Sequence, residues 1–102
     1  MDIQDEIKQQ ITDNDIILFM KGTPEMPQCG FSMQTAQALQ ACQAKFAYVD
    51  VLANPDVREN LPKVSNWPTF PQVFVNGELI GGCDIVLDLY QKGELQKILE
   101  TA

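Results

Sequence analysis

Ile16-Ile17-Leu18-Phe19-Met20, followed by the loop Lys21-Gly22-Thr23-Pro24-Glu25-Met26-Pro27-Gln28 and then Cys29-Gly30-Phe31-Ser32, is the stretch that decides the fold. Five consecutive apolar residues suit a strand covered on both faces. Gly22, Pro24 and Pro27 punctuate a loop. From Gly30 to about Gln43 the residues are good helix formers, so the stretch reads strand, loop, helix.

Working outward, Ile3, Ile7 and Ile11 lie four apart and mark one stripe of a short amphipathic helix, which Asp13-Asn14-Asp15 ends. Phe46 to Val51 reads as a second strand. Asn54-Pro55 supplies an N-cap and a first-turn proline for a helix to about Val64, with Pro62 weakening its second half. Gln72-Val73-Phe74-Val75, Asn76-Gly77 and Glu78-Leu79-Ile80 form a hairpin signal with a two-residue turn. Gly81-Gly82 precede Cys83-Asp84 and an apolar-periodic helix, Gly93 ends it, and Glu94 to Glu100 is a last helical stretch. A right-handed crossover makes the first two strands parallel, and the hairpin adds an antiparallel pair. The alternation by itself predicts one α/β domain over residues 1–102.

Composition narrows the function. With 102 residues, 45% of them apolar and 21% charged, the chain is expected to fold around one core without staples. A formal charge of −7 repels phosphate backbones and anionic lipid, which argues against nucleic acid and membrane partners. The acidic start, Asp2 to Glu6, lacks the basic opening of a signal or transit peptide, so a cytoplasmic location is expected. No histidine is present, which removes Ser–His and Cys–His nucleophile pairs and histidine bases. Three cysteines cannot complete a four-thiolate metal site within one chain.

Cys29 is the candidate reactive group. At a helix start, unpaired N–H groups and the helix dipole stabilise a thiolate, and Lys21 adds a nearby positive charge. The place of a second, resolving thiol in a C-x-x-C motif is taken by Ser32. Cys42 lies thirteen residues further along the same helix, about 20 Å away at 1.5 Å per residue, and is expected in the core. Any further thiol must come from Cys83 or from outside the chain.

Cys29-Gly30-Phe31-Ser32 resembles the signature of the monothiol glutaredoxins. Lys21-Gly22-Thr23-Pro24, Trp67-Pro68-Thr69-Phe70-Pro71 and Gly81-Gly82-Cys83-Asp84 resemble the same family in the same order, and the likeness runs from Ile16 to Leu99. It is strongest to single-domain bacterial and organellar members, and it implies a thioredoxin fold, a four-stranded mixed sheet flanked by helices. The resemblance further implies noncovalent glutathione binding and a 2Fe–2S cluster bridging a homodimer. The cluster's ligands would be Cys29 of each chain and the thiol of each glutathione. Cluster storage, transfer and assembly would follow, with a BolA-type protein and apo iron–sulfur proteins as partners. The alternative activity is a thiol–disulfide oxidoreductase acting on glutathione mixed disulfides.

Carried over by position, Lys21 and Arg58 would pair with the glycyl carboxylate of glutathione. Taken alone, each reads as a solvated surface cation. Phe70, before a cis bond to Pro71, would offer its backbone to the cysteinyl part. Cys83 would contribute its backbone N–H, with a reversible Cys29–Cys83 disulfide as the other reading. Asp84 would meet the glutamyl ammonium or act as an N-cap. Trp67 and Pro68 read as packing around that turn.

Overall fold

The computed structural model describes residues 2–102, and its elements follow the expected order. They are α1 (Ile3–Asp13), β1 (Ile16–Met20), α2 (Gly30–Ala41), β2 (Ala47–Asp50), α3 (Pro55–Ser65), β3 (Gln72–Val75), β4 (Glu78–Gly81), α4 (Cys83–Gln91) and α5 (Glu94–Glu100). The sheet order is β2-β1-β3-β4. β1 pairs in parallel with β2 and antiparallel with β3, and β3 pairs antiparallel with β4.

Successive side chains of a strand point to opposite faces, and β1 uses both. Ile16, Leu18 and Met20 pack with Leu39, Val86, Leu95 and Leu99 from α2, α4 and α5. Ile17 and Phe19 pack with Ile7 and Ile11 of α1, Val57 and Leu61 of α3, and Phe74 of β3. The Phe19 and Phe74 rings meet edge to face at 5.7 Å. Full burial of such a side chain contributes about 1.5–3 kcal/mol relative to exposure. Two helical layers therefore close on one central strand, which is why β1 reads as an unbroken apolar run.

Local chemistry accounts for the ends of the elements. Asp2 caps α1 by accepting the Asp5 N–H at 2.9 Å. Asn76 (φ 51°) and Gly77 (φ 84°) both adopt the left-handed conformation that a tight hairpin turn requires. α3 ends within a residue of the expected Val64 but differs from expectation at its cap. Asn54 stands at the N-cap without a capping bond, and its Nδ2 donates instead to the Asp50 carbonyl at 2.9 Å. α3 also runs through Pro62 to Ser65, because Leu61 is fully buried against β1's α1/α3 face and holds that turn in place. Asn66 (φ 55°) then ends the helix.

The loop from β1 to α2 is folded back on itself. Thr23 and Met26 exchange backbone bonds at 3.2 and 3.1 Å, and the Gln28 N–H donates to the Lys21 carbonyl at 2.9 Å. Asp50 Oδ1 accepts both the Gly22 and the Leu52 N–H at 2.9 Å, which ties the loop to the end of β2. Gly22 has φ +91°, and a Cβ there would stand 2.5 Å from the Met26 carbonyl oxygen and 2.7 Å from the Gln28 nitrogen. Both neighbours are backbone and cannot turn aside. Gly22→Ala is accordingly expected to cost about 2–3 kcal/mol from left-handed strain and overpacking, read as a lowered midpoint in urea denaturation.

Candidate functional site

The site grows from the junction of β1 and α2. Cys29 occupies the N-cap position of α2 in an extended conformation (φ −152°, ψ 135°). The first intrahelical bond runs from the Met33 N–H to the Cys29 carbonyl at 2.9 Å, so the N–H groups of Phe31 and Ser32 have no helical partner. The sulfur faces them. The Ser32 N–H lowers the thiol's pKa most, and the Phe31 N–H, the charge of Lys21 and the Ser32 hydroxyl lower it further. Partial burial opposes the shift without cancelling it.

Ser32 has a second task, for which the sequence offers no local signal. It is fully buried, and its Oγ accepts the Lys21 N–H at 3.0 Å. That bond joins the end of the central strand to the first turn of α2. Cys42, at the other end of the helix, is buried in the α2/α4/α5 core as expected, and burial pushes its thiol up.

A groove of about 680 Å³ opens beside Cys29. The residues expected to act together converge on it: Lys21, Cys29, Arg58, Phe70, Cys83 and Asp84 all line its wall. Pro71 does not; it is buried, with its carbonyl beneath Gly82, where a Cβ would come within 3.2 Å of it. The Phe70–Pro71 bond is cis. Trp67 and Pro68, expected to pack around that turn, also line the groove.

The electrostatics of the groove are local. Among the described residues the single ion pair is Lys92–Asp88, at 3.0 Å on the surface of α4. Lys21 and Arg58 face the groove without a carboxylate partner, and Asp84 faces it without a cation. Asp84 lies in the first turn of α4, but Gly82 holds the N-cap position, so the N-cap reading of Asp84 is corrected. The two glycines of Gly81-Gly82 carry the chain into α4 in a conformation a larger residue at 81 could not share. Gly81 has φ +147°, with Ile85 2.8 Å from a Cβ built there. Cys83 is buried, and its thiol donates to Gln34 Oε1 at 3.6 Å. The three cysteines are free.

One groove residue's support went unread in the sequence. Gln72, fully buried at the start of β3, donates from Nε2 to the carbonyls of Trp67 and Thr69, each at 3.0 Å. Its Oε1 has no partner among the described residues, and neither does the buried Trp67 Nε1. An unpaired buried acceptor costs about 1–3 kcal/mol. The available signal was a lone polar residue heading the apolar run Val73-Phe74-Val75.

A thioredoxin-type sheet with a low-pKa thiol at a helix start, facing a cis-proline turn across a groove, defines a small thiol-active protein, and sequence comparison specifies which. The Glutaredoxin family model matches residues 16–80. "Glutaredoxin 4" of Escherichia coli strain K12 is 61% identical over 99 residues, spanning 96% of this chain and 86% of that protein. Among solved structures, a monomeric truncated mutant of Trypanosoma brucei 1-C-Grx1 superposes with a TM-score of 0.87 at 38% identity, covering 99% of this chain and 92% of that one. Reduced apo GrxS14 of poplar gives 0.82 at 42% identity, with 97% and 91% covered. The chain belongs to the glutaredoxin family. With Ser32 in place of a second active-site cysteine, it is a monothiol member.

The lowered thiol pKa sets a pH dependence. Folding favours the Cys29 thiolate, so its contribution to stability is fully present above the unfolded thiol's pKa and is lost as pH falls through the folded value. Alkylation of Cys29 by iodoacetamide is expected to have its pH midpoint below that of a free cysteine. Ser32→Ala should move that midpoint upward and cost about 1–3 kcal/mol of stability, because the Lys21 N–H loses its partner.

Proposed function

We propose that the groove binds glutathione and that Cys29, together with the glutathione thiol, holds a 2Fe–2S cluster between two copies of this chain for delivery to apo-proteins. One observation carries the reading. The groove joins a single low-pKa thiol to two cations and a carboxylate that have no partners among the described residues. Glutathione bears a carboxylate at each end, an ammonium, and a central thiol. Lys21 and Arg58 suit the glycyl carboxylate, the backbone of Phe70 suits the cysteinyl part, the Cys83 N–H at the start of α4 suits the other carboxylate, and Asp84 suits the ammonium. The neighbouring "buckwheat glutaredoxin-glutathione complex" is consistent with such a ligand in this fold.

The cluster reading rests on donor arithmetic. A 2Fe–2S centre takes four thiolates as a rule. Cys42 is committed to the core, Cys83 is buried, and no group of three or more potential metal-ligating side chains occurs among the described residues. Cys29 fits as one donor, being partly exposed and biased toward the thiolate. A glutathione thiol would be the second, and the same pair from a second chain would complete the set. The cluster is cargo, and this chain's part is to hold the ligand thiol beside Cys29 and to release it. A BolA-type protein taking the second chain's place, and apo iron–sulfur proteins as recipients, belong to the same proposal. So does the cytoplasm as the setting. No helix among the described residues is long and apolar enough to cross a membrane.

Anaerobic reconstitution with iron, sulfide and glutathione, followed by native mass spectrometry, tests the proposal. The expected species contains two chains, two glutathiones, two irons and two sulfides, and Cys29→Ser abolishes it. A coloured species without glutathione, or one that survives Cys29→Ser, overturns it. Steady-state removal of glutathione from protein mixed disulfides at rates of dithiol glutaredoxins would favour the oxidoreductase reading instead.

Arg58→Gln measures the carboxylate contact. Arg58 is exposed, so the loss is expected near 1 kcal/mol, roughly fivefold in glutathione affinity, and smaller at high salt. Isothermal titration at two ionic strengths reads both effects.

A further inference from the structure

Gln72 is the one polar side chain of β3, and no part of it is exposed. An apolar residue there would continue the run of Val73, Phe74 and Val75 without leaving Oε1 unpaired. The carboxamide therefore does something an apolar residue cannot. Its orientation is fixed, since turning the amide over would set its oxygen against the two carbonyl oxygens that Nε2 now serves.

The Thr69 carbonyl belongs to the same peptide unit as the Phe70 N–H. The one cis bond among the described residues is the next one along, so this unit is trans, and its C=O and N–H point in opposite directions. Drawing the Thr69 oxygen inward to a fully buried side chain turns the Phe70 N–H outward, on a residue that lines the groove. No hydrogen bond among the described residues uses that N–H. Accepting a bond at the carbonyl also polarises the peptide and strengthens its N–H as a donor.

We propose that Gln72 is a positioning residue: its carboxamide sets the Thr69–Phe70 peptide plane so that the Phe70 N–H is held ready for a main-chain carbonyl of a peptide ligand. The proposal rests on the glutathione reading and deepens it, placing the specificity for the ligand's amide backbone one layer beneath the groove. Gln72 does not touch the ligand and acts through the Trp67–Phe70 wall.

The test uses NMR on the isotope-labelled full chain with reduced glutathione as the probe. In the unliganded wild type the Gln72 carboxamide protons are expected to exchange slowly with solvent, and the Phe70 amide resonance should shift on titration. Gln72→Met, close in size but unable to donate, should weaken glutathione binding by about tenfold and abolish most of the Phe70 shift. The pH midpoint of Cys29 alkylation should stay unchanged, which a general loosening of the fold would not allow. Wild-type affinity in Gln72→Met overturns the proposal, as does carboxamide exchange in the wild type at the rate of an exposed glutamine. Should Gln72→Met fail to fold, the wild-type exchange and titration decide the matter alone. Should the wild type bind no glutathione, the ligand assignment fails, while carboxamide exchange still decides whether Gln72 holds the wall.

Discussion

The bond from the Lys21 N–H to Ser32 Oγ is the constraint on which the site depends. It fastens the end of the central strand to the first turn of α2, and Cys29 sits between the two fastened points. The Asp50 carboxylate secures the adjoining Gly22 N–H from the other side, so two successive peptide units at the end of β1 are held by side chains from different elements. The loop between them closes through its own backbone bonds. The sulfur is thereby kept facing the N–H groups of Phe31 and Ser32 while the chain reverses direction around it. A hydroxyl at position 32 serves this purpose without offering a second redox-active sulfur, so the residue that makes the site monothiol also fastens the scaffold.

The far wall of the groove is organised by the same kind of device. There a buried carboxamide holds two carbonyls of the Trp67–Phe70 segment, as a buried hydroxyl holds an N–H on the near wall. In both places an irregular segment gets its shape from one polar side chain reaching out of regular structure. Irregular backbone at a binding site must satisfy its polar groups on one side and leave others free on the ligand side. Side chains from buried positions achieve that division without covering the groove.

Much of this was legible in the residues, and what was not has a physical reason. β1 could be read because burial on both faces imposes an unbroken apolar run, and the hairpin because Asn76-Gly77 meets a turn that needs two left-handed residues. Cys29 at a helix start could be read with its pKa direction, since the cause is local. Asn54 misled because an Asn-Pro pair carries the N-cap signal whether or not the side chain turns inward, and here the Asp50 carbonyl took it. Asp84 misled for a related reason: it lies close to the helix start, but the glycine before Cys83 holds the cap. The contributions of Asp50, Ser32 and Gln72 were hidden because their partners are set by the fold, and no spacing rule announces a bond between residues 22 and 50. The groove residues Lys21, Arg58, Phe70, Cys83 and Asp84 came from family likeness; nothing in their spacing says that they share one wall.

The placement of the three sulfurs decides what each can meet from solvent. Cys42 is sealed in the core, where burial pushes its thiol up, whereas Cys29 is partly exposed with its thiol lowered, and Cys83, largely buried and bonded to Gln34, lines the same groove. An electrophile arriving from solvent thus meets Cys29 first, with Cys83 behind it on the same groove wall.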